Sequence, residues 1–183
     1  MTEPFPPVLG SLVSVPALDR PDLLADPVAA ALAGFAAAGE VGVVEIDPAL
    51  ADTAAMSQAY DVPMAAGANC VLVAGTRDGD ERVAACVVRA DTRADVNKVV
   101  RKLLDVRKCS FLPMDRAVEE SGMEHGGITP VGLPRGWRLL VDARVADVEV
   151  AVLGSGVRRS KLLVPGRVVV TLPGVEVVEG LAG

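Results

Sequence analysis

The residues with the clearest chemical potential lie in one stretch, Gly122 to Pro134, which reads G-M-E-H-G-G-I-T-P-V-G-L-P. Glycine or proline stands at 122, 126, 127, 130, 132 and 134. A helix or strand interior does not tolerate that density, so the stretch is a loop held in a special shape. Glycine lets the main chain approach a ligand closely and offer it backbone N–H groups. A tight connection with no ligand would use the same residue types.

Other catalytic chemistries find little support. His125 is the single histidine, and no H-x-x-x-H or related spacing accompanies it, which argues against a zinc hydrolase. No G-x-S-x-G elbow is present for a Ser-His-Asp mechanism. Cys70, Cys86 and Cys109 are widely spaced in apolar segments and read as buried reduced thiols rather than disulfides or metal ligands. No cofactor or metal is implied.

Half of the 183 residues are apolar but only 3% are aromatic, so the core must be built of Val, Ala and Leu, with few platforms on which bases could stack. The length fits one domain. No apolar run is long enough to span a bilayer, and M-T-E-P-F-P-P lacks the pattern of a signal peptide. The expectation is a cytoplasmic protein. The net charge of −6 is uneven: −8 over residues 1–61 and +2 over residues 62–183. Bases are dense at Arg93, Lys98, Arg101, Lys102, Arg107 and Lys108, and again at Arg158, Arg159 and Lys161. Such local faces can contact a phosphate backbone, or can be ordinary solvated surface.

The elements that must position these groups follow from periodicity. Residues 1–21 read as an irregular arm and 22–183 as a single domain. Helices are expected over 22–38, 53–60, 92–104, 114–121 and 166–172. The helix from Thr92 shows an inward stripe of Val96, Val99, Val100, Leu103 and Leu104, with capping-box spacing from Thr92 to Asp95. Strands are expected over 41–46, 70–74, 83–88, 108–112, 138–141, 148–153, 161–164 and 175–178. Asp78-Gly79 marks a hairpin between the second and third of these. Strands and helices intermix without a βαβ rhythm, which gives an α+β class with a mixed sheet.

Six blocks in order then carry a resemblance: Ala51–Pro63, Val71–Gly75, Ala94–Leu103, Ser121–Pro134, Leu139–Asp142 and Val152–Leu162. Together they resemble the YbaK-type family of prolyl-tRNA-editing domains, which are aminoacyl-tRNA deacylases. The resemblance implies a mixed, largely antiparallel, β-barrel-like sheet flanked by helices, with a pocket for the 3′ end of a mischarged tRNA. Prolyl-tRNA synthetase is a further implied partner. Gly126 and Pro130 match the family's G-x-x-x-P loop, so Gly126, Gly127, Ile128, Thr129 and Pro130 become the candidate catalytic segment. Asp142, Ser155, Gly156 and Lys98 match positions implied to line the pocket or hold terminal phosphates. One position departs: many relatives carry a lysine where this chain has Asn69, and Arg77 and Arg82 are the nearest bases in sequence.

The implied reaction needs no strong nucleophile, because an aminoacyl ester is already activated. Placing its carbonyl and stabilising the oxyanion would suffice. Small pocket residues would admit alanine or cysteine and exclude proline by shape. A non-catalytic module that binds aminoacyl-tRNA, or a hydrolase for a small ester, would use the same pocket.

Overall fold

The computed structural model describes residues 7–183. Within the expected irregular arm, the described part forms short strands, β1 (Val8–Leu9), β2 (Leu12–Val13) and β3 (Val15–Pro16), and β3 pairs antiparallel with β4 (Gly42–Glu45). The long helix expected over 22–38 is shorter. It resolves into a 3-10 turn Pro21–Leu23, helix α1 (Asp26–Ala33) and a 3-10 turn Ala38–Glu40. Pro27 in the first turn fixes where α1 begins, and Gly34 closes it. Helix α2 (Thr53–Tyr60) falls where its periodicity put it.

Strands β5 (Ala68–Arg77) and β6 (Asp80–Arg89) form a long hairpin. Its two turn residues, Asp78 and Gly79, have φ of 52° and 88°. Two successive positive φ values give the turn whose twist matches that of paired strands, and Asp-Gly supplies them at low cost. Further on come helix α3 (Arg101–Leu103), β7 (Cys109–Phe111), α4 (Met114–Ser121), β8 (Arg138–Asp142), β9 (Ala151–Gly154), β10 (Ser160–Val164), α5 (Gly166–Val169) and β11 (Val175–Val178). The helix expected from Thr92 starts later. Thr92 Oγ1 donates to Arg89 O instead of capping, and Asp95 accepts from Lys98 N at 3.0 Å. A wide π turn, Val96–Val100, then leads into α3.

Two sheets organise the chain. One has the order β3-β4-β10-β9 and is antiparallel throughout. The other runs β11-β8-β6-β5-β7, with β8 parallel to both β6 and β11. This is the mixed α+β architecture expected. The sheets do not close into a barrel. They pack face to face, and among the described residues one parallel β-bridge, between Gly67 and Val152, joins their backbones.

The near-continuous apolar run of β6 reflects burial of both its faces. Val83, Ala85 and Val87 enter the main core with Val43, Leu153 and Leu162 of the other sheet and Val28 and Leu32 of α1. Ala84, Cys86 and Val88 face the opposite way, against Val96, Val100 and Leu104. That is the period-two alternation of a strand covered on both sides. A third cluster joins Leu12, Ile46, Met56, Val152 and Leu163 beneath α2. Each large side chain so buried contributes about 1.5–3 kcal/mol. Among the described residues no helix is long and apolar enough to cross a membrane.

Candidate functional site

A cavity of about 600 Å³ lies beside the bridge that joins the two sheets, with Gly67 and Val152 both in its wall. Its other walls come from the start of α2, the first half of β5, the glycine-rich loop and the ends of β9 and β10. Phe111 and Met114 stand at its rim and are strongly exposed.

The start of α2 is fixed by Asp52, whose carboxylate accepts from Ala54 N at 3.0 Å and from Ala55 N. This is an N-cap, and it turns Thr53 toward β5. Thr53 Oγ1 donates to Asn69 Oδ1 at 2.9 Å. Asn69 therefore lines the cavity with its carbonyl oxygen engaged. Arg77 and Arg82 are not near it. They sit at the turn end of the hairpin and pair with Asp105. Eight residues of extended strand separate Asn69 from Arg77, roughly 26 Å at the usual rise.

The glycine-rich loop is clasped by main-chain bonds to the Ser155-Gly156 turn. Gly156 N donates to Gly127 O at 2.7 Å, and Glu124 N donates to Gly156 O at 2.8 Å. The contact is too close for a side chain at Gly127, where a Cβ would stand 2.8 Å from three backbone atoms of Val157. Gly127 N donates to Glu124 O, so it faces its own loop and is committed there. Gly126, with φ of 82°, and Ile128 line the cavity, and their N–H groups have no acceptor among the described residues. Thr129 is fully buried, its hydroxyl without a partner among the described residues. Pro130 lies on a separate pocket with Phe35 and Trp137.

The remaining sequence candidates are placed elsewhere. Asp142 is buried at the end of β8, outside the cavity lining. It accepts from Arg144 N and Arg144 Nε, and from Ala182 N at 2.9 Å, tying the C-terminal segment to the strand. Burial pushes its carboxyl pKa up, but the Arg144 guanidinium and these N–H groups outweigh that and hold it below the usual value. Ser155 is also buried outside the lining, with Oγ 2.7 Å from Ser160 Oγ, which donates to Leu23 O. Gly156 packs against Ala25, and Ala25 N donates to Ser155 O. The segment before α1 is thus strapped across the back of the clasp, and Arg159 adds a bond to Asp22 O. Lys98 is exposed on the π turn and does not border the cavity.

Sequence reading missed Lys161. In sequence it groups with Arg158 and Arg159 as a basic cluster, yet it is only 6% exposed and lines the cavity. Its Nζ donates to Ala51 O at 3.0 Å and Gly126 O at 3.2 Å. Burial lowers its pKa, the Arg158 charge lowers it further, and Asp52 opposes both. The signal was available: Lys161 shares its face of β10 with the apolar Leu163 while Leu162 and Val164 fill the other face, the pattern of a strand buried on both sides. Arg158 is spent on carbonyls, donating to His125 O at 3.1 Å and Pro48 O at 3.0 Å. Cys70 borders the cavity, but burial raises its thiol pKa far above the ordinary value, so no thiolate is offered there.

The model of the aminoacyl-tRNA editing domain matches residues 47–172. The match spans more than half of the sequence, and the chain belongs to the aminoacyl-tRNA editing domain family. Among solved structures, a protein described as a candidate trans-editing enzyme for prolyl tRNA synthetase superposes with a TM-score of 0.71 at 20% identity. That match covers 85% of this chain and 94% of the other. A second structure, of a hypothetical protein, gives 0.67 at 20% identity over 77% and 90% of the two chains. At these identities the structures establish a shared fold. None of the curated proteins compared with the chain matches it.

Proposed function

We propose that the protein hydrolyses the ester bond of mischarged aminoacyl-tRNA in trans, with alanyl- or cysteinyl-tRNA for proline as the expected substrates. The observation that carries this reading is the pair of unpartnered N–H groups, Gly126 and Ile128, in the wall of a cavity built largely from the family's own segment. About 600 Å³ suits a small aminoacyl group with part of the terminal adenosine.

The reaction balances with water alone. The water oxygen bonds to the ester carbonyl carbon, and the bond to the ribose oxygen breaks. One water proton passes to that ribose oxygen, leaving a free amino acid and an uncharged tRNA. The loop N–H groups bind the carbonyl oxygen as negative charge develops on it. Ala51, Ala68 and Gly154 keep the wall small-sided, which admits a short side chain. Shape discrimination of this kind is modest, about 1–3 kcal/mol per methylene, so selectivity against prolyl-tRNA rests on the ring failing to fit. Phosphates of the acceptor stem would meet Lys98, Lys102 and Lys108, which are exposed on the π turn, α3 and the approach to β7.

The test is a deacylation panel of mischarged tRNAs, with tRNA binding measured beside it. Turnover above spontaneous hydrolysis on a small aminoacyl-tRNA, and none on prolyl-tRNA, is the expected result. Binding without turnover would make the protein an aminoacyl-tRNA binding module, a reading favoured by Asn69 standing where many relatives have lysine. Neither binding nor turnover would remove tRNA from the account.

A further inference from the structure

A buried ammonium that forms no ion pair is costly, because its hydration is lost and dipoles alone must offset it. Lys161 is such a group. It stands on β10 with Val44 of β4 and Gly154 of β9 opposite it in the two flanking strands. The charged or titratable groups that share its cavity are Asp52, Cys70, His125 and Arg158. None of them makes an ion pair with it, and its partners among the described residues are the two carbonyls, Ala51 O and Gly126 O. An ammonium has three N–H donors in tetrahedral array. Two are committed, and the third is left for the space the residue lines.

We infer that Lys161 is a catalytic cation of this site, its ammonium clamped between Ala51 O and Gly126 O and giving its third N–H to the carbonyl oxygen of the bound aminoacyl ester. The inference deepens the deacylase reading and rests on it. It accounts for three features together. The position at Asn69 carries no charge and is tied to Thr53. Arg158 has its guanidinium bound to two carbonyls. Arg77 and Arg82 are held at the far end of the hairpin. The cavity therefore draws its free positive donor from β10, across from β5. Because Gly126 O accepts from the same ammonium, the lysine also sets the plane of the Gly126–Gly127 peptide and so the aim of the loop.

The experiment compares wild type with Lys161→Met, which keeps the stem and removes the charge, and with Lys161→Gln as a second variant should the first fold poorly. Two readouts are used: kcat and KM on the mischarged tRNA that the wild type turns over, and the Kd for an alanine-bearing 3′-aminoacylamino-adenosine, in which a stable amide replaces the ester. The expected result is a kcat lower by about 10²–10³-fold, the range for loss of one oxyanion donor. KM should change much less, and the analogue should bind more weakly. Rates corrected for spontaneous hydrolysis should fall as pH rises through the lowered ammonium pKa, at a lower pH than for an ordinary lysine.

A folded variant with wild-type kcat overturns the inference and leaves the deacylase reading standing. A corrected rate that rises with pH only when Lys161 is present would overturn the cationic role in favour of a neutral amine acting as base. A wild type that binds the analogue through Lys161 but turns over no ester would sink the deacylase reading and the catalytic role together, leaving Lys161 as a binding group. A wild type that neither binds nor hydrolyses removes both.

Discussion

Lys98, Lys102 and Lys108 stand in solvent with no acidic partner among the described residues, whereas Arg158, Arg159 and Lys161 are all bonded to main-chain carbonyls. In charge the two groups are alike. Their difference is set by the element beneath each. The first group rides on a helical turn and its flanks, where only one stripe is needed for the core and the other faces stay free. In the second, Lys161 lies within a strand buried on both faces and must find acceptors inside the molecule, while Arg158 and Arg159 stand on the turn before that strand and reach main-chain carbonyls. The first can serve long-range attraction of a polyanion. The second can shape a site.

That contrast can be broken most forcefully at the clasp. Gly127→Val forces a Cβ against the Val157 backbone, and overpacking of this sort costs about 1–3 kcal/mol. Deacylation should fall to background and the denaturant midpoint should drop. A stable, active variant would show that the loop does not need this approach. Next in size is Arg158→Gln, which releases the His125 and Pro48 carbonyls. A charge-assisted bond contributes about 1.5–3 kcal/mol, so kcat/KM should fall roughly ten- to a hundredfold, with global stability little changed by comparison. Wild-type kinetics in that variant would mean the guanidinium only decorates the loop.

A smaller effect is expected on the exposed side. Replacing Lys98, Arg101 and Lys102 together by alanine should weaken tRNA binding and reduce its salt slope by about one per lost phosphate contact. At saturating substrate kcat should stay unchanged. If kcat falls and the salt slope does not, the two clusters have exchanged roles and the comparison fails.

The smallest effect on catalysis belongs to Asp142. Its carboxyl is held below the usual value of 3.8, so it contributes stability above the unfolded pKa, lost as pH falls through the folded one. Asp142→Asn should cost about 1–3 kcal/mol at neutral pH, with the gap to wild type narrowing below about pH 4 and kcat unaffected. A loss of kcat without loss of stability would return Asp142 to the pocket.

Much of this architecture is legible in the chain. The Asp78-Gly79 turn fixed the hairpin, because only a few residue pairs take two positive φ values. Helices α2 and α4 and strand β11 lie where their patterns put them, since each is bounded by residues that stop the chain. Helix α1 was overdrawn because alanine-rich sequence continues past Gly34 in composition while the backbone has already turned. Within the site, the glycine-rich loop was legible from its breakers. Which of its N–H groups are committed was not, because Gly127 is tied down by a contact with Glu124 and Val157 that only folding creates. Lys161 is hidden by its company: two neighbouring arginines make a lysine look like surface, and only the apolar Leu163 on the same face of the strand says otherwise.

The strap that crosses the back of the clasp carries a consequence for where this unit can be cut. Asp22, Leu23 and Ala25 supply or receive bonds to Arg159, Ser160, Ser155 and the Gly156 turn, yet all three precede residues 47–172, the length shared with the editing family. At the other end Ala182, beyond that length, is bonded to Asp142. The stretch that matches the family is therefore shorter than the stretch these bonds tie together. A fragment trimmed to 47–172 would keep the residues facing the cavity and lose the scaffold that holds the turn behind them, together with the tether at the end of β8.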